Sequence, residues 1–343
     1  MVASFDELMA EQARAAVKVT GAHHSSWNRR VETLSPDDPR WGLACWDHTI
    51  KYHPEHVIAT LQDMFNRAGQ QHDDATLHRY REALRVVLHE NIHLLTAAGT
   101  SHAMGFVAYD TEPAHEVLDE ATTELAAQNM LNKYIAELGL EAIAPGISTV
   151  DTVADYREYT PAVERFARDL GVRAELAGDE VIRQMSVVNA EDKFGVAAEL
   201  LYEKTLSAVV PDHARTSVIG TIVAVMRPPF ATIHGGDAND PQDVRFSALA
   251  GFEAARSAGN KADELATFWS ANQDLRRSLD AGLVAGPPGQ SPQRPGFTSE
   301  AGGQEPASSG KPDHGKGRQT RGSTARDRRD ERRSDRNPPT VGS

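Results

Sequence analysis

The sequence predicts a mainly α-helical protein with a small β element. Apolar residues recur with helical spacing along most of the first 282 residues, whereas strand signals are few. From Gly286 onward Pro, Gly, Ser, Gln and Arg dominate, and apolar residues almost vanish. Such a segment cannot bury enough surface to offset its chain entropy, so residues 286–343 are predicted to form a disordered tail.

The N-terminal region is predicted to begin with a helix over residues 4–18. Ser4 is a typical N-cap residue, and Glu7 stands at the position of its capping-box partner. Residues 21–47 contain Gly, Pro and several polar residues beside three tryptophans. This composition favours an ordered loop over a helix for that segment.

A short strand is predicted next, over residues 49–53, because apolar and polar residues alternate there. Pro54 is expected to begin a helix that reaches about Arg67. Apolar periodicity with Gly or Pro at the ends predicts eight more helices. They cover approximately residues 73–98, 114–138, 161–170, 175–188, 190–209, 212–226, 246–257 and 260–282. Residues 99–112 are predicted to be a loop.

The charge distribution bears on the class of partner. The chain has a formal net charge of −13, but residues 286–343 hold 11 Lys and Arg against 7 Asp and Glu. The body is therefore strongly acidic, and we expect no specific nucleic-acid partner, because phosphate binding needs clustered positive charge. Cys45 is the single cysteine, which excludes an internal disulfide and a cysteine-rich zinc module. With no signal peptide and no membrane-length apolar run, a cytoplasmic location without membrane contact is expected.

One segment of the predicted 73–98 helix carries the pattern His-Glu-x-x-His at His89, Glu90 and His93. Two histidines four residues apart project from the same helix face and can share a metal ion, with the glutamate placed to take a proton from water. The surrounding residues are apolar, so the helix is expected to be buried. Unpartnered polar groups in such a helix cost a few kcal/mol each, which favours a metal site over a pair of core histidines.

The next predicted helix contains the run Leu118-Asp-Glu-Ala-Thr-Thr-Glu124. Together with the first motif, this run resembles the gluzincin branch of the zincin-type zinc metallopeptidases. The resemblance implies that Glu120 is the third metal ligand and that Glu124 accepts a hydrogen bond from His89. It covers about residues 48–138 and implies a zincin-like metal half over residues 1–145. A helical lobe over 151–282 would then close the cleft.

Alternatives to Glu120 as the third ligand remain open. His102 follows the end of the predicted helix, although the metzincin pattern would require a histidine at position 99. His115 and Asp119 lie on the same predicted helix as Glu120. Glu120 and Glu124 also continue a series from Glu116 at helical spacing, which could instead form an exposed acidic stripe, although the ligand interpretation is favoured. The remaining N-terminal histidines show no ligand spacing: His23, His24, His48, His53 and His56.

In enzymes of the resembled class a tyrosine or histidine beyond the glutamate helix stabilises the oxyanion. Tyr156 and Tyr159 follow that helix most closely and are the preferred candidates, although either could instead pack between the two lobes. His213 and His234 are further candidates. The strand over residues 49–53 is expected to be the edge strand that binds an extended peptide substrate.

The sequence therefore predicts a zinc-dependent metallopeptidase that acts on a protein or peptide, with Zn²⁺ bound by His89, His93 and Glu120. Glu90 would act as the general base. Two other hypotheses are compatible with the sequence. The protein could be a non-catalytic zincin-derived scaffold that binds a partner, or its zinc could be structural and closed by a fourth ligand such as His102 or His115.

Overall fold

The computed structural model of the protein describes residues 1–153, 155–272 and 277–278. Within them lie ten α-helices. In chain order these are α1 (Phe5–Thr20), α2 (Thr60–Asn66), α3 (Asp74–His93), α4 (Phe106–Thr111), α5 (Pro113–Leu138), α6 (Thr160–Ala174), α7 (Gly178–Ser186), α8 (Lys193–Thr205), α9 (Arg215–Ala231) and α10 (Pro241–Ala271). The strands are β1 (His24–Ser25), β2 (Val31–Thr33), β3 (Gly42–Ala44), β4 (Ile50–Tyr52) and β5 (Leu95–Thr96). The mainly α class with a small β element is thereby confirmed, and the predicted tail lies outside the described residues.

The first helix begins where the capping residues predict. The hydroxyl of Ser4 accepts a hydrogen bond from the Glu7 N–H at 3.2 Å, and the Glu7 carboxylate accepts one from the Ala3 N–H at 2.6 Å. The first bond satisfies a backbone donor that a helix start leaves without an intrahelical partner, and the second ties the residue before the N-cap to the first turn. The helix ends at Gly21, whose φ of +73° is the left-handed conformation that favours glycine.

The segment predicted to be an ordered loop, residues 21–47, contains no helix, but it contributes the short strands β1, β2 and β3. These strands have two or three residues each, too few to leave a periodic pattern in the sequence. The strand predicted at 49–53 is confirmed as β4, but it is central. It pairs in parallel with β2 and antiparallel with β3, so β3 is the edge strand beside α3.

The helix predicted over residues 73–98 ends at His93, five residues early. The carbonyl of Leu94 accepts hydrogen bonds from the Ser26 N–H at 2.8 Å and the Ser26 hydroxyl at 3.1 Å. The chain then continues as β5, which pairs antiparallel with β1. The loop predicted for residues 99–112 is also largely wrong, since it forms a 3₁₀ turn at His102–Gly105 followed by α4.

Helix α5 lies at the centre of the fold. It packs against α1 and α3 on one side and against α6, α7 and α9 on the other. The helices predicted over 246–257 and 260–282 are continuous with each other in α10, which ends at Ala271 and packs along α6. Residues 273–276 and 279–282 of the second prediction lie outside the described residues. None of the described helices is long and apolar enough to cross a membrane. The division into a metal half and a helical lobe stays a prediction.

Candidate metal centre

The side chains of His89, His93 and Glu120 converge where α3 crosses α5. The Nε2 atoms of the two histidines are 3.1 Å apart. Oε2 of Glu120 lies 3.6 Å from each of these nitrogens. All three residues are buried, at 5%, 8% and 8% exposure. Among the described residues, no other His, Cys, Asp or Glu joins this group.

The spacing of the three ligand atoms suits a small metal ion. Zinc ligands about 2 Å from the metal at tetrahedral angles are about 3.3 Å from one another, close to the observed separations. Oε2 of Glu120 is buried and has no hydrogen-bond partner, which is costly unless a cation binds there. The donors therefore fit a metal, and two nitrogens with one carboxylate oxygen favour a transition metal over Ca²⁺ or Mg²⁺.

Each histidine is oriented from behind by a carboxylate of α5. Nδ1 of His89 lies 3.0 Å from Oε2 of Glu124, and Nδ1 of His93 lies 2.9 Å from Oδ2 of Asp119. An acceptor at Nδ1 fixes the proton on that nitrogen and leaves the Nε2 lone pair for a metal. Glu124 thus lies where the resemblance implies. Asp119, considered in the sequence only as a ligand, contacts the far side of His93.

A buried cation neutralises each of these carboxylates. Arg85 of α3 donates to Glu124 at 2.7 Å and also pairs with Glu82 and Asp155. Lys193 of α8 pairs with Asp119 at 3.2 Å. Neither cation was predicted from the sequence. A buried partner of Arg85 could have been expected, since a charge inside an apolar run must be paired. Lys193 lies 74 positions beyond Asp119, and no local pattern links the two residues.

The local electrostatics favour a positive charge between the histidines. Burial by itself would lower the pKa of His93, but Asp119 and Glu120 raise it well above its usual range. Burial would raise the pKa of Glu120, yet His93 and His89 lower it well below its usual range. In Asp119, the effect of burial is likewise outweighed by Lys193 and His93, and the pKa falls to about 2. A metal cation could therefore replace protons at this point.

Comparisons with protein-family models, curated proteins and solved structures found no match for this chain. The chemistry of the site must therefore be inferred from its geometry.

Glu90 lies between the two histidines in sequence and against the edge strand in space. Its Oε2 accepts a hydrogen bond from the Ala44 N–H at 2.8 Å. The neighbouring Cys45 N–H donates to the Thr49 carbonyl, on the β4 side of β3. Successive N–H groups of a strand point to opposite sides, so the Ala44 N–H points away from β4, toward the edge of the sheet. A Cβ atom at Gly42 would stand 2.4 Å from Oε1 of Glu90. The missing side chain at position 42 therefore makes room for this carboxylate.

The two candidate tyrosines differ in their surroundings. The ring of Tyr156 lies parallel to that of His89, with centroids 5.8 Å apart. Its backbone has a φ of +54°, which is unfavourable for a residue with a side chain and is common at functional sites. The hydroxyl of Tyr159 accepts a hydrogen bond from the Gly235 N–H, and burial raises the pKa of this group to about 12. Tyr156 is thus the tyrosine that contacts a presumed ligand.

The other candidate histidines do not join His89, His93 and Glu120. His234 pairs with Glu116 at 3.0 Å, one turn before Glu120 on α5. His213 is exposed in a short turn before α9. His115 is buried, and its Nδ1 lies 3.1 Å from the Ala190 carbonyl oxygen.

An aromatic cluster closes one side of the site, and only its His102 was predicted near the metal, as an alternative third ligand. The ring of His102 stacks on Trp46 at a centroid distance of 4.2 Å, and its centroid is 6.3 Å from that of His93. Burial lowers the pKa of His102 to about 3, so this ring is neutral at pH 7. The Tyr109 hydroxyl donates to Oε1 of Glu120 at 2.5 Å. Tyr109 lies in the region predicted to be a loop, where no periodicity marks it.

Proposed function

We propose that this protein is a zinc-dependent metallopeptidase whose metal is bound by His89, His93 and Glu120. The proposal is supported above all by the environment of the Oε2 atom of Glu120. It is buried, lacks a hydrogen-bond partner and lies equidistant from two Nε2 atoms whose rings are held at Nδ1. Three protein ligands and an open position are typical of catalytic zinc, whereas structural zinc is closed by four.

Zinc bound there would supply Lewis acidity, which polarises a carbonyl group and acidifies water. Glu90 would take the proton of the attacking water. The residue is buried, with 7% of its surface exposed, and it follows His89 on the same helix. The hydrogen bond from the Ala44 N–H holds this base in one position.

The edge strand β3 supports a peptide as the substrate. One of its sides pairs with β4, and its other side faces α3, where Glu90 accepts the Ala44 N–H. An extended peptide could add by main-chain hydrogen bonds to the part of this edge that Glu90 does not occupy, with its scissile carbonyl beside the three ligands. Tyr156, half-buried and parallel to His89, is our candidate for the oxyanion stabiliser.

The decisive variant is Glu90→Gln, which removes the base but none of the three ligands. We expect it to keep about one zinc per chain while hydrolysis of labelled casein and mixed quenched peptides falls by orders of magnitude. Glu137→Gln makes the same change at the far end of α5, where Glu137 pairs with Lys18, and should leave hydrolysis unchanged. Full activity in Glu90→Gln would refute this role of the base. Hydrolysis in neither wild type nor variant would favour the non-catalytic scaffold.

A further inference from the structure

Lys193 is almost completely buried, with 1% of its surface exposed. Its ammonium group lies 3.2 Å from Oδ1 of Asp119 and donates to the Met185 carbonyl at 3.1 Å. The other oxygen of Asp119 lies 2.9 Å from Nδ1 of His93. A continuous chain of polar contacts therefore runs from α8 through α5 to a presumed metal ligand on α3.

The position of Lys193 is unfavourable for the local structure. It is the first residue of α8, where the helix dipole disfavours a positive charge. Lysine is also among the residues that are almost never fully buried unless paired. Helix formation and core packing thus give no reason for a lysine here, whereas its contact with Asp119 does.

The two histidines differ in which part of the chain neutralises their carboxylates. For His89, the cation is Arg85, which lies one turn earlier on the same helix. For His93, the cation comes from α8, and the turn before α8 is fixed to α5 by the contact of His115 with Ala190. The orientation of His93 consequently depends on how α8 docks.

We propose that Lys193 is a positioning residue of the metal site, which holds Asp119 in the orientation that fixes His93. Metal affinity then depends on the docking of α8, and by linkage the metal stabilises that docking. The inference rests on the metal binding of the proposed function, but it does not depend on hydrolysis.

The test is a zinc titration of the full chain against a competing chelator. Lys193→Met should weaken zinc binding about tenfold or more, the usual effect of losing a contact behind a metal ligand. Lys204→Met makes the same change on α8, where Lys204 pairs with Glu175 at the surface, and should leave the affinity unchanged. The visible absorption of bound Co²⁺ should also change in Lys193→Met, because the His93 ring is no longer fixed. A purely structural lysine would leave the affinity and the Co²⁺ spectrum of the folded protein as in wild type, which would overturn the inference.

A second measurement needs no variant and decides the matter if Lys193→Met does not fold. Zinc should slow amide hydrogen exchange at the start of α8, near Lys193, more than at its end near Lys204. If zinc slowed exchange equally at both ends of α8, or at neither end, the inference would be overturned while the proposed function would stand. A wild-type chain that binds no zinc would instead refute both the inference and the proposed function.

Discussion

Two helix pairs of this protein meet in opposite ways. The α3–α5 contact includes buried charged and polar side chains: Arg85, His89, His93, Asp119, Glu120 and Glu124. Where α10 meets α6 and α9, it buries small residues: Ser247, Ala250, Gly251, Ala254, Ala255, Ala258, Gly259 and Ala262. The first contact orients chemical groups, and the second brings two backbones close together.

The difference shows which contact can supply stability. A buried ion pair rarely adds much free energy of folding, because desolvation offsets the attraction between its charges. Close packing of small residues gains dispersion energy without that penalty. The polar α3–α5 contact therefore contributes less to the free energy of folding, and we infer that apolar packing elsewhere in the protein supplies the stability.

The largest effect on stability should come from Arg85→Met. Arg85 is buried and pairs with Glu82, Glu124 and Asp155, so its loss removes the cation that these three carboxylates share. We expect the free energy of unfolding, measured with urea, to fall by about 3–5 kcal/mol. Arg227→Met removes a cation that pairs with Glu112 at the surface, and its effect should stay below about 1 kcal/mol. Equal effects of the two substitutions would contradict the distinction between the buried and surface pairs.

The α6–α10 contact should be broken by Gly251→Ala. A Cβ atom there would lie 2.0 Å from the Ala162 backbone oxygen, so the two helices would have to separate. Unfolding should become easier by about 1–3 kcal/mol, while the zinc content of the folded protein stays unchanged.

Gly220→Ala is the matched control for that substitution. It also lies within a helix, α9, but a Cβ atom there meets nothing within 4 Å. The added methyl group should therefore stabilise the protein by about 0.5–1 kcal/mol. The comparison fails if both glycine substitutions shift the urea midpoint in the same direction.

The smallest effect on stability, but a large one on chemistry, is expected for Gly42→Ala. The three atoms nearest to the new Cβ atom would be Oε1, Cγ and Cδ of Glu90, at 2.4–2.7 Å, so this flexible side chain would have to shift. Zinc content and urea midpoint should be nearly unchanged, whereas kcat/KM for peptide hydrolysis should fall roughly 100-fold, since misplacing a catalytic group has such effects. Unchanged hydrolysis would show that the position of Glu90 against β3 has no catalytic importance.

The long-range periodic features of this fold were predictable from the sequence. Helix α5 starts at Pro113 and ends before Gly139, as the proline and glycine at its two ends predict. Helix α3 carries two histidines on one face, as their helical spacing predicts. The end of α3 was not predictable in this way. It is set by Ser26, which follows β1 and donates to the Leu94 carbonyl from a position 68 residues earlier in the chain.

The candidate site shows the same limit. His89, His93 and Glu120 could be proposed because each lies in a short pattern on a helix. The edge strand could not be assigned, because strand order is a tertiary property and β3 has three residues. Tyr109 and Lys193 reach the site only through the packing of α4 and α8, which no local pattern encodes.

The most direct test of this account is elemental analysis of the purified wild-type chain beside three alanine variants, two on α5 and His89→Ala on α3. Glu120→Ala removes the proposed third ligand, and Glu116→Ala removes an acidic residue one turn earlier, which pairs with His234. We predict about one zinc per wild-type chain, retained in Glu116→Ala and lost in Glu120→Ala and in His89→Ala. Zinc retained in Glu120→Ala, or no bound metal in a wild-type chain supplied with zinc, would contradict the account.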